Sequence, residues 1–207
     1  MKKYITLLLI SIFTFSSCKK DEPIAEVDQE EVGSAEISFT EVEGEAHGDH
    51  YHYKEIQSPE VETIKFSGTP MLPPAGEHIH LEVGKSYRFN VKIKDFAGRE
   101  TQQSFVEKDN QHFAFILGIP TETAFVTYSD KKSDETKVKV GVQGYLTVLK
   151  EATTFNTRYI MRHLNPGVKE KINPKTDWNN NNFTSFTGAN DLDLKFQLHF
   201  TTEEHGH

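Results

Sequence analysis

Cysteine is nearly absent from this chain: Cys18 is the single example in 207 residues. That excludes an intrachain disulfide and any thiolate cage for zinc or an iron–sulfur cluster. Methionine is almost as scarce, at Met1, Met71 and Met161, so there is no methionine-rich cuprous site. Positive charge is outweighed, with 23 Lys and Arg against 31 Asp and Glu and a formal net charge of −8. Lacking a basic stripe, the chain is not expected to bind nucleic acid. Gly-x-Ser-x-Gly, Gly-x-Gly-x-x-Gly and His-Glu-x-x-His do not occur, nor does a phosphate-binding loop. The expectation is therefore a protein that is not an enzyme.

Lys2 and Lys3 precede an apolar-rich run from Ile5 to Phe15. The run is too short to span a bilayer as a helix and follows the charged-then-apolar plan of a secretory signal. Residues 1–17 are read as that signal. Residues 18–34, charged and without periodicity, are read as a flexible linker carrying an acylated Cys18. Residues 35–202 form one domain, and residues 203–207 a tail containing His205 and His207.

Beyond residue 34 the hydrophobic period is two. From Asp191 to Phe200, Leu192, Leu194, Phe196, Leu198 and Phe200 alternate with Asp191, Asp193, Lys195, Gln197 and His199. Ser86 to Lys94 repeats the pattern through Tyr87, Phe89, Val91 and Ile93. Further strands are predicted at 35–42, 50–56, 61–67, 78–83, 99–106, 112–117, 123–129, 136–142, 144–150 and 154–163. No stretch carries a helical stripe over three turns. Short alternating strands separated by Gly, Pro, Asn and Asp predict an all-β fold, an antiparallel β-sandwich of immunoglobulin-like type. Asn165 to Asn190 reads as a long loop, pinned to the sheet by Trp178 and Phe183.

Histidine is abundant, and five of its ten examples lie between His47 and His80. His50-Tyr51-His52 and His78-Ile79-His80 are both His-x-His. On a strand, residues i and i+2 share a face about 6.6 Å apart, so two imidazoles can converge on one ion. His78, His80 and Glu82 oppose the apolar Ile79, Leu81 and Val83. His47 and Asp49 stand just ahead of the first pair. Were the two strands neighbours, their imidazoles would make one patch. The predicted metal ligands are His47, His50, His52, His78 and His80, with Glu82 as ligand or as acceptor for an imidazole N–H. Imidazole and carboxylate donors without thiolate favour Zn²⁺ first and Cu²⁺ second. His112, His163 and His199 are read as solvated strand residues, and Asp191 with Asp193 as solvated charge at a strand start.

Phe15-Ser16-Ser17-Cys18 resembles the lipobox of bacterial lipoproteins, although Phe15 replaces the usual leucine. Lys19-Lys20-Asp21-Glu22-Pro23 resembles the acidic segment that accompanies export to the outer cell surface. Together with Gln111-His112-Phe113-Ala114-Phe115 and Gly144-Tyr145-Leu146-Thr147-Val148, these residues resemble small His-containing lipoproteins that accompany TonB-dependent receptors. The resemblance implies a lipid anchor at Cys18, an outer-membrane location facing the periplasm or the surface, and a TonB-dependent transporter as partner. Two other functions remain open. One is a haem-binding lipoprotein that uses two of the histidines axially. The other is an adhesion or carbohydrate-binding sandwich with Trp178, Tyr51 and Tyr53 as an aromatic platform.

Overall fold

The computed structural model describes residues 32–202. The signal segment 1–17, Cys18, most of the linker 18–34 and the tail 203–207 lie outside the described residues. Ten strands carry the fold: β1 (Ser34–His47), β2 (His50–Glu55), β3 (Val61–Ser67), β4 (Ile79–Glu82), β5 (Ser86–Lys94), β6 (His112–Leu117), β7 (Ala124–Tyr128), β8 (Gln143–Val148), β9 (Ala152–Leu164) and β10 (Gly188–Thr201). One sheet runs β2-β1-β5-β8-β7 with β3 also on β1; the other runs β4-β10-β9-β6. Apart from β2, which buries no residue, the strands feed one core shared by both sheets. Ile37, Phe39, Phe66, Phe89 and Val91 come from the first sheet, and Ile79, Leu81, Met161, Leu194 and Leu198 from the second. Phe66 meets Phe196 edge-on across the two layers at 5.9 Å.

The all-β expectation holds. The immunoglobulin-like refinement finds no support in this strand order, and β4 pairs with β10 in parallel, so the second sheet is mixed. Two segments expected to be strands are not. Residues 99–106 instead contain a short helix, α1 (Gln102–Glu107), whose buried residues are the adjacent Phe105 and Val106. Two apolar neighbours fit a single turn of helix whose face is closed by the sheet, although too short to show a stripe. Residues 136–142 form a loop organised by Asp130. Its carboxylate accepts the backbone N–H groups of Val140, Gly141 and Gln143 at 2.8–2.9 Å. The side chain is almost wholly enclosed, and burial pushes its pKa up against those hydrogen bonds.

The segment between β9 and β10 is ordered by three short 3-10 turns, at Lys169–Lys171, Asp177–Asn179 and Phe183–Ser185. Phe183 packs on Phe115 at 5.7 Å beneath the guanidinium groups of Arg158 and Arg162. Trp178 packs against the core. These residues cover the second face of β6, all six residues of which are buried.

Candidate metal centre

His112 opens β6 and is fully buried. In the antiparallel register it lies directly opposite His163 of β9, so the two imidazoles share a face, with ring centroids 4.7 Å apart. The third member, Asp191, comes from β10 on the other side of β9. Asn190 pairs with Arg162 and Leu192 with Met161, leaving Asp191 as the extra residue of a β-bulge. Asn190 bonds the Arg162 guanidinium on the outer face, whereas Leu192 enters the core. The bulge turns the intervening carboxylate toward the two histidines, as bulges commonly re-aim a side chain. Gly188 supports the approach of β10 to β9, because a Cβ there would lie 2.0 Å from the His163 carbonyl oxygen.

The Asp191 Oδ2 lies 3.2 Å from His112 Nε2 and 3.5 Å from His163 Nδ1. Neither contact is a hydrogen bond. His112 Nε2, His163 Nδ1 and both Asp191 oxygens are buried without a hydrogen-bond partner. One ligand atom from each residue fits within a mutual 4.8 Å. For comparison, ligands about 2.0–2.1 Å from a tetrahedral zinc stand roughly 3.3 Å from one another. The Asp191 and His112 side chains have no solvent exposure, and His163 retains 14 %.

The surroundings orient the His112 ring. His112 Nδ1 lies 3.0 Å from the carbonyl oxygen of Lys108, just past α1. A carbonyl only accepts, so Nδ1 carries a proton, and Nε2 is left facing Asp191 and His163. Such an orienting partner is the usual companion of a metal-binding imidazole. Phe105 of α1 stands edge-on to the same ring at 5.0 Å. Burial holds the His163 imidazole below its ordinary pKa; the nearby Asp191 carboxylate pulls the other way, and His112 and Lys108 add to the depression. Lys169 donates to the backbone carbonyls of His112 and Lys139 and sits 4.7 Å above the Phe113 ring. Burial pushes its ammonium down to about 8.

One nitrogen from each of two imidazoles therefore faces a carboxylate in an enclosed pocket. A buried carboxylate with neither oxygen hydrogen-bonded costs several kcal/mol unless a cation meets it. Two imidazoles and one carboxylate form a donor set that can hold a metal ion.

This triad corrects the sequence reading of His112, His163 and Asp191 as solvated. Two signals pointed to it. The run His112 to Leu117 is nearly continuous in apolar residues rather than alternating, which means both faces are covered. Tyr159-Ile160-Met161 just before His163 has the same character.

The histidines expected to bind together stand in two groups. β2 and β4 belong to different sheets, so the two His-x-His strands are not the sheet neighbours that a shared strand face requires. His47, His50 and His52 gather at the β1–β2 hairpin, with His47 directly opposite His50. His78 and His80 lie at the β4 edge with ring centroids 4.4 Å apart, and His80 is in register with His199 of β10. Glu82 pairs with Lys85 at 3.0 Å. Tyr51 and Tyr53 are half-buried: Tyr53 stacks on Tyr145 at 4.1 Å and Tyr51 packs on Phe125 at 5.1 Å.

No protein-family model matches the chain, and no curated protein or solved structure matches it.

Proposed function

We propose that the protein is a lipid-anchored metal-binding protein of the cell envelope, with His112, His163 and Asp191 as ligands to a borderline divalent cation. Zn²⁺ is the first choice and Cu²⁺ the second, because the donors are imidazole nitrogen and carboxylate oxygen. The observation that carries the reading is the convergence of one buried ligand atom from each of three strands within 4.8 Å. With two of the three ligands fully enclosed, the site suits holding an ion rather than admitting a substrate. Capture, buffering or delivery to a TonB-dependent transporter is the role that fits such a site on an acylated carrier. The lipobox-like residues Phe15 to Cys18 support the anchor, and the net charge of −8 would concentrate cations near the protein.

The test is metal analysis of protein purified without a polyhistidine tag, followed by calorimetric titration with Zn²⁺ of the parent, His112→Gln and Asp191→Asn. One tightly bound equivalent lost in both variants is expected. Parent and variants with superimposable isotherms would sink the assignment.

A further inference from the structure

The β1–β2 hairpin turns through two residues, Gly48 and Asp49, and Gly48 adopts φ +61°, a left-handed conformation that glycine takes without steric cost. Its register places His47 opposite His50 and Glu45 opposite His52. Cross-strand partners share a face, so three imidazoles and one carboxylate emerge on the same side. The Nε2 atoms of His50 and His52 lie 3.2 Å apart, close to the roughly 3.3 Å edge of a tetrahedral zinc site. The His47 ring stands 4.6 Å from that of His52, and its Nε2 is 3.4 Å from Glu45 Oε1. About half of each of the His47 and His50 side chains is exposed.

The opposite face of the hairpin is fixed. Tyr53 lies flat on Tyr145, at an interplanar angle of 4°, and its hydroxyl bonds Thr147 Oγ1 at 3.2 Å. Tyr51 packs on Phe125. Gly44, opposite Tyr53, lets β1 close onto β5: a Cβ there would lie 2.1 Å from Ser86 Oγ. Asp49 at the turn is tied to Lys175 at 3.0 Å. The histidine face is thus held on a backbone anchored from behind, and preorganisation of this kind lowers the ordering cost of binding.

We infer that His47, His50 and His52, with Glu45 as a fourth donor, form a second metal site that is open to solvent and takes the same class of borderline divalent cation, Zn²⁺ or Cu²⁺. The His50 and His52 Nε2 atoms already stand at ligand separation, and rotation of the exposed His47 and Glu45 side chains would bring the third and fourth donors to them. Exposure makes this a site of quick exchange, in contrast to the enclosed triad. The inference stands without the buried triad.

Zn²⁺ alone is the probe. The chain, His50→Gln/His52→Gln and Asp191→Asn are titrated by calorimetry, and the histidine ring resonances are followed by NMR. The hairpin variant should keep the melting temperature of the metal-free parent. Its hairpin equivalent should vanish or weaken at least tenfold, while the equivalent removed by Asp191→Asn persists. The rings of His47, His50 and His52 should shift together at one equivalent in the parent. An unchanged isotherm in the hairpin variant, or hairpin rings that stay still while Zn²⁺ binds, would overturn the inference and leave the triad reading intact.

Discussion

Asp191 is the unpaired residue where β10 slips register against β9, and its Oδ2 stands 3.2 Å from His112 Nε2, two strands away. The carboxylate reaches that imidazole because one extra residue breaks the alternation of the strand. The pairing of β6 with β9 aligns the histidines, the bulge brings the acid, and α1 orients the His112 ring from behind. Four predictions follow from these and neighbouring contacts.

Phe105 is fully buried against the His112 ring. Phe105→Ala should cost about 3–5 kcal/mol of folding stability by urea denaturation. By loosening the ring it should weaken Zn²⁺ binding roughly tenfold. Phe105→Leu, which retains most of the volume, should recover most of both.

Asp130 accepts three backbone N–H groups. Asp130→Ala leaves them unpaired at about 1–3 kcal/mol each, so a loss above roughly 3 kcal/mol is expected. Asp130→Asn should lose less, because the amide oxygen still accepts. A denaturation midpoint for Asp130→Ala equal to that of the parent would contradict this account.

Lys169 supplies the pH dependence. Its folded pKa of about 8 lies below the ordinary lysine value of 10.5. Between the two, the unfolded chain binds more protons than the folded one, so stability rises with pH across this window. Below about pH 8 both states are protonated and the full penalty applies. The slope contributed approaches about 1.4 kcal/mol per pH unit at its steepest. Urea denaturation of parent and Lys169→Met between about pH 8 and pH 10 should show the parent gaining on the variant as pH rises.

Gly44 is the contact through which the hairpin lies against β5. Ser86 Oγ is bonded to Thr147 at 2.8 Å and cannot easily give way. Gly44→Ala should destabilise by about 1–3 kcal/mol through overpacking and should weaken Zn²⁺ at the hairpin histidines while leaving the triad unchanged. Ser86→Gly in the same chain removes the clashing atoms and should restore hairpin binding, read by the His50 and His52 ring resonances.

Much of the sheet was legible, because alternation is a local property. The patterns at Ser86 to Lys94 and Asp191 to Phe200 mark β5 and most of β10 directly. The helix α1 was not legible, since a six-residue turn shows only Phe105 and Val106 to the core. The paired spacing of His50 with His52 and of His78 with His80 was legible, and each pair does share a strand face or edge. Their assignment to different sheets was not, because strand order is set by long-range pairing. Asp191 was the best hidden residue: strict alternation puts it opposite Leu192, on the outer face, and only the bulge reverses that.

The order of the strands along the chain has a consequence for assembly. β6 and β9 carry His112 and His163, whereas Asp191 comes only with β10, which pairs with β9 and also docks β4. An intermediate lacking the β10 pairing would hold two imidazoles and no carboxylate. Were the triad to hold an ion, tight loading would have to follow the docking of β10, in whichever compartment the chain folds.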